Sequence, residues 1–119
     1  MSRSQEEYLR DLLRAMEKAE RYVEGVGFEE FVRNPEKQDA VEWNVSVMGE
    51  AAKQLDSELR TAYDHIPWDD MARMRDRIVH GYFSIDLEIL WRTVTERIPE
   101  AKRHIRRMLE EEGYTPGDS

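Results

Sequence analysis

Residues 66 to 83 read Ile66-Pro67-Trp68-Asp69-Asp70-Met71-Ala72-Arg73-Met74-Arg75-Asp76-Arg77-Ile78-Val79-His80-Gly81-Tyr82-Phe83. Trp68, Met71, Met74 and Ile78 recur at helical spacing, and Pro67 biases the residue before it away from helix. The spacing predicts a helix running toward Gly81, whose freedom to adopt the left-handed conformation suits it to stop a helix. His80 then lies at or near a helix C-terminus.

Working outward, the same period recurs on both sides. Ser4 and Glu7 stand at capping-box spacing ahead of Tyr8, Leu12, Met16, Ala19 and Val23, which mark a first long helix that Gly25 and Gly27 end. Phe28 to Val32 reads as a short helical turn. Asn34 and Pro35 then supply the N-cap and first helical residue of a second long helix carrying Val41, Val45, Met48, Ala52 and Leu55. Leu59 to Tyr63 is a charged stretch that is also read as helical and closed by Pro67. After the quoted stretch, Ser84 or Asp86 can cap a last helix with Leu87, Leu90, Trp91, Val94 and Ile98. Pro99 is expected to kink it before Ala101, Ile105 and Met108 continue.

No segment alternates with period two, and neither an internal repeat nor a low-complexity tract is present. The expectation is an all-α fold, an antiparallel bundle of about four to five helices. Residues 1–112 form one helical domain, and 113–119 form a flexible tail. With 119 residues and 39% hydrophobic content the core is modest, so a dimer that buries further surface is expected. The charged start is unlike a signal peptide and no apolar run nears the ~20 residues of a membrane span, so a soluble, cytoplasmic protein is expected. Cysteine is absent, which excludes disulfides and thiolate metal sites. No His and carboxylate spacing makes a metal site, and no cofactor is expected.

A formal charge of −8 argues against broad electrostatic capture of nucleic acid. Any contact with RNA must therefore be local. Arg73, Arg75 and Arg77 form one basic cluster, and Lys102, Arg103, Arg106 and Arg107 another; from charge alone both read as solvated helix surface.

The quoted stretch concentrates a permanent cation, an imidazole and a phenol. Arginine offers phosphate oxygens a planar fork of donors, and histidine exchanges protons near neutral pH, so Arg75 and His80 can together cleave a phosphodiester without metal. On an ideal helix they point about 140° apart. Either the helix ends before His80, or the arginine bends round, or motifs from two subunits meet across a cleft. Arg-x4-His alone is expected by chance about a third of the time in such a chain, and Arg60 with His65 is a second copy, treated as accidental. Requiring tyrosine two residues after histidine lowers that chance to about one or two in a hundred. Arg75, His80 and Tyr82 satisfy it.

This Arg-x4-His-x-Tyr motif and its flanks resemble the HepT-like branch of the HEPN superfamily. Gln38 to Val41 with Met48 to Lys53 look like that family's central helix, Ile66 to Trp68 like its lead-in to the motif helix, and Ser84 to Val94 like the helix that follows. Asp76 departs from the pattern, standing where Asn is common.

The resemblance implies a helical homodimer whose paired motifs line a shared cleft, acting as the metal-independent endoribonuclease toxin of a type VII-like toxin–antitoxin pair. RNA is the implied substrate. His80 is then the general acid or base toward the RNA 2′-hydroxyl, Arg75 stabilises transition-state charge, and Asp76 is a supporting motif residue. The implied partner is a minimal nucleotidyltransferase antitoxin that transfers AMP from ATP to Tyr82 and silences the toxin.

Taken singly, each residue has a purely structural reading. The helix dipole favours a C-terminal histidine, Arg75 can pair with a carboxylate such as Glu50, and Tyr82 can be a core residue. Trp43, Trp68 and Trp91 read as core or dimer interface. The alternative function is a non-catalytic HEPN subunit that binds nucleotide or RNA or scaffolds a nucleotidyltransferase, or the antitoxin itself. The intact set of three favours catalysis.

Overall fold

In the computed structural model, residues 3–81 and 85–114 are described, and every regular element among them is helical. The order is α1 (Gln5–Val23), α2 (Phe28–Val32), α3 (Pro35–Gln54), α4 (Ser57–Ala62), α5 (Trp68–His80), α6 (Leu87–Arg92), a π-helical turn (Thr93–Arg97) and α7 (Ile98–Glu111). Because α6, the π turn and α7 follow one another without a break, the domain has about six helices rather than the expected four to five. Among the described residues no helix is long and apolar enough to cross a membrane.

Local chemistry explains most boundaries. The Ser4 and Glu7 capping box forms in full, and Gly25, with φ of +71°, turns the chain after α1. The Asn34 side chain accepts from the Lys37 N–H at 3.1 Å, with Pro35 at the first helical position where a missing N–H costs nothing. Asp86, not Ser84, is the observed cap of α6: its Oδ1 accepts from the N–H groups of Glu88 and Ile89. Residue 84 lies outside the described residues. α4 stops at Ala62, five residues before Pro67.

Gly81 corrects an expectation. Its N–H bonds the Arg77 carbonyl at 2.9 Å, but φ is −79° and ψ 128°, so the chain leaves α5 extended instead of reversing through a left-handed residue. Departure along the helix end requires no positive φ, and any residue could adopt it.

The expected effect of Pro99 emerges as the π turn. Proline cannot donate to the carbonyl four residues back, and its ring crowds that carbonyl. The widened turn at Thr93–Arg97 absorbs the mismatch and keeps α6 and α7 continuous. At the far end Gly113, with φ of +74°, and Tyr114, whose N–H bonds Leu109 O at 2.9 Å, close α7 in a Schellman arrangement. These are the first two residues of the expected tail; 115–119 lie outside the described residues.

α3 is the central helix, buried at Val41, Val45, Met48, Gly49, Ala51 and Ala52, with α1 and α5 packed against it. α1 and α3 run antiparallel, since Gln5 Oε1 accepts from the Asp56 N–H while Lys37 Nζ donates to Tyr22 O at the opposite end. α7 also runs antiparallel to α1: Lys102 pairs with Glu20 at 2.6 Å and Arg106 with Glu17 at 3.4 Å. Part of the second basic cluster is therefore a clamp between helices. Trp68 is buried and donates from Nε1 to Tyr63 O, and Trp91 packs against the rings of Phe28 and Phe31. Trp43 is 68% exposed and belongs to no core.

Candidate active site

The site is built where α5 crosses α3. A Cβ at Gly49 would collide with the Met71 carbonyl oxygen and the Arg75 Cβ, so glycine is what permits this close crossing. The crossing sets Arg75 beside two carboxylates. Its Nε lies 3.1 Å from Glu50 Oε2, and its Nη1 donates to Asp76 Oδ1 at 2.9 Å. Lys53 Nζ, one turn after Gly49 on α3, reaches the same Asp76 oxygen at 3.0 Å. The Lys53 hydrogen bond and then that from Arg75 hold the Asp76 carboxyl below its ordinary range. Asp76 thus joins two cations, and Lys53 enters the site although spacing within the motif could not reveal it. The pairing of Arg75 with Glu50, its simple structural reading, is present.

α5 remains helical through His80, so the helix does not end before that residue. The divergence of about 140° between Arg75 and His80 therefore holds. Arg75 turns toward α3 with its side chain 22% exposed, whereas His80 is exposed at the helix end. The structure does not bring the two together within one chain. At positions i, i+4 and i+7, Arg73, Arg77 and His80 instead share one stripe of α5. Asp76 precedes His80 by one turn and lies between the two faces. Tyr82 lies outside the described residues.

The second Arg-x4-His match is a different environment. Arg60 is on α4, and His65 packs edge-on against His104 with ring centroids 5.0 Å apart.

The described residues form a helical domain in which an Arg-x4-His motif ends one helix and its arginine is tied to the neighbouring central helix. The Ribonuclease HepT-like family profile matches residues 12–108, and the chain belongs to that family. It is 39% identical over 102 residues to "Probable ribonuclease HepT" of Thermococcus cleftensis, covering 86% of this chain and 93% of that one. A candidate RNase of Caldanaerobacter subterraneus subsp. tengcongensis is 34% identical over 105 residues, covering 88% and 94%. A candidate RNase of Methanocaldococcus jannaschii is 33% identical over 104 residues, covering 87% and 86%. No solved structure matches the chain.

Proposed function

We propose that this protein is the toxin of a toxin–antitoxin pair, a metal-independent endoribonuclease that works as a homodimer. Membership of the HepT-like ribonuclease family supports the activity, as do the ribonuclease names of its relatives. The observation that carries the reading is the end of α5: an exposed imidazole at His80, with the Arg75 guanidinium and Lys53 ammonium gathered around Asp76 on the α3 side.

Because Arg75 and His80 diverge on one helix, a cleft formed by two copies supplies the missing alignment. One His80 removes the proton of the RNA 2′-hydroxyl, whose oxygen attacks the adjacent phosphorus. The second His80 returns a proton to the departing 5′-oxygen, leaving a cyclic phosphate and a free 5′-hydroxyl. Arg75, and Lys53 beside it, stabilise the charge that builds on the phosphoryl oxygens. Tyr82 accepts AMP from a partner nucleotidyltransferase, and the added phosphate then occupies those cations.

The test is to incubate purified protein with or without the partner, ATP and magnesium, and then to measure RNA cleavage after adding excess chelator. Chelator-resistant cleavage that the partner suppresses is expected. The second reading, a non-catalytic nucleotide- or RNA-binding subunit or an antitoxin, is favoured by one observation: Arg75 is already paired with carboxylates in the free chain. RNA binding without any cleavage would establish it.

A further inference from the structure

On the flank of α5 away from Arg75, the helices line a half-open cavity of about 290 Å³ that includes neither Arg75 nor His80 in its lining. Its floor is soft and apolar: Met16 from α1, Met48 from α3, and Met71 and Met74 from α5. Around the cavity stand Arg73 and Arg77 of α5, with Arg97 and Thr93 facing them from the π turn. Arg73 pairs with Asp70, whereas neither Arg77 nor Arg97 has a carboxylate partner among the described residues.

Two features connect this cavity with the chemistry at His80. Arg73 and Arg77 lie on the same stripe of α5 as His80, one turn apart or about 6 Å along the axis. A strand laid along that stripe meets two guanidinium groups and then the imidazole. The π turn, a widened segment of a kind often found at functional sites, supplies a third guanidinium from the opposite wall. Asp70 also lines the cavity and offsets Arg73, which leaves Arg77 and Arg97 without a carboxylate partner among the described residues; two such cations and a shared third beside an apolar pocket exceed what one simple anion requires. They suit a ligand with a planar apolar body and phosphates on either side.

We propose that the cavity is a nucleobase subsite, holding a base adjacent to the cut while Arg73, Arg77 and Arg97 take the flanking phosphates. This rests on the ribonuclease reading and names how its substrate is gripped. Thioethers pack well against aromatic rings, and guanidinium groups both stack on bases and fork onto phosphate oxygens. Single-stranded RNA, whose bases can be turned outward, fits such a site; a continuous duplex does not. The site also reconciles RNA binding with an acidic chain, because the cations are concentrated along one helix flank.

Wild-type protein labelled with ¹³C at its methionine methyl groups tests this directly. Titration with adenosine 5′-monophosphate should shift the Met71 and Met74 methyl signals saturably and leave Met108, buried in α7 outside the cavity, unmoved. Ribose 5-phosphate should act more weakly, and octanoate should not compete. Arg77→Ala and Arg97→Ala should each weaken nucleotide binding about tenfold, the loss of one charge-assisted contact. Silent methyl signals at millimolar nucleotide, equal shifts with ribose 5-phosphate, or shifts with octanoate alone would overturn the subsite. The two readings separate cleanly. Shifts in a protein that never cleaves RNA uphold a nucleotide site and defeat the ribonuclease reading, while cleavage with silent methyl signals defeats the subsite alone.

Discussion

The Arg75 guanidinium rests 3.1 Å from the Glu50 carboxylate on the neighbouring helix, so the motif arginine already has an ion-pair partner in the folded chain. Its second carboxylate, Asp76, is shared with Lys53. On the proposed function, an incoming phosphate must exchange with anions already in place, and removing either carboxylate is expected to strengthen RNA binding.

Asp76 gives a pH-dependent test. Lys53 and Arg75 lower its carboxyl pKa in the folded chain, so its contribution to stability is present above the ordinary carboxylate range and is lost as pH falls from that range through the lower folded value. Asp76→Asn should melt slightly lower than wild type at neutral pH, and the two curves should converge in acid. A gap that persists or widens at low pH would contradict this sign.

Gly49 makes a steric prediction. Gly49→Ala forces α3 and α5 apart, because its Cβ meets backbone as well as the Arg75 side chain. Overpacking of this kind costs about 1–3 kcal/mol, visible as a lower urea midpoint at unchanged slope. RNA cleavage should fall further than the folded fraction does, since Arg75 is displaced too.

The two Arg-x4-His matches supply an internal contrast. Arg75→Ala and His80→Ala should each abolish cleavage with little change in helicity, whereas Arg60→Ala and His65→Ala should leave it intact. Measured rates with circular dichroism of all four variants decide the matter, and inactive Arg60 and His65 variants would reverse the assignment.

A dimer should use the exposed face of α3 and α5. Trp43 is 68% exposed and Val79 50%; Trp43, Val47 and Glu50 form a stripe on α3 that leads through Arg75 to Val79 one turn further along α5. Trp43→Asp should convert the light-scattering mass from dimer to monomer and abolish cleavage while keeping helicity. A fully active monomer would exclude the composite cleft.

Tyr82 should carry the inactivating modification. Incubation with the partner nucleotidyltransferase, ATP and magnesium is expected to add one AMP by intact mass, mapped to Tyr82, and Tyr82→Phe should stay toxic in the partner's presence. AMP found on Tyr8, Tyr22, Tyr63 or Tyr114 with Tyr82 unmodified would refute it.

Helices, most of their ends and the motif were legible because they depend on neighbours in the chain: Ser4 with Glu7, Asn34 with Pro35, and the apolar period of α1, α3 and α5. Gly81 was misread because a glycine's permitted left-handed conformation is used only where the path of the chain requires it, and that path is a long-range property.

By itself, the sequence determined an all-helical chain of this family and the position of Arg75 and His80 near one helix end. Only the tertiary structure decided that Arg75 is tied to Glu50, that Lys53 shares Asp76, and that Arg73 and Arg77 face Arg97 across a methionine-lined cavity. Each of these joins side chains from different helices. Helix crossing sets such distances, and the crossing of α3 and α5 turns on the missing Cβ at Gly49, which no local period encodes.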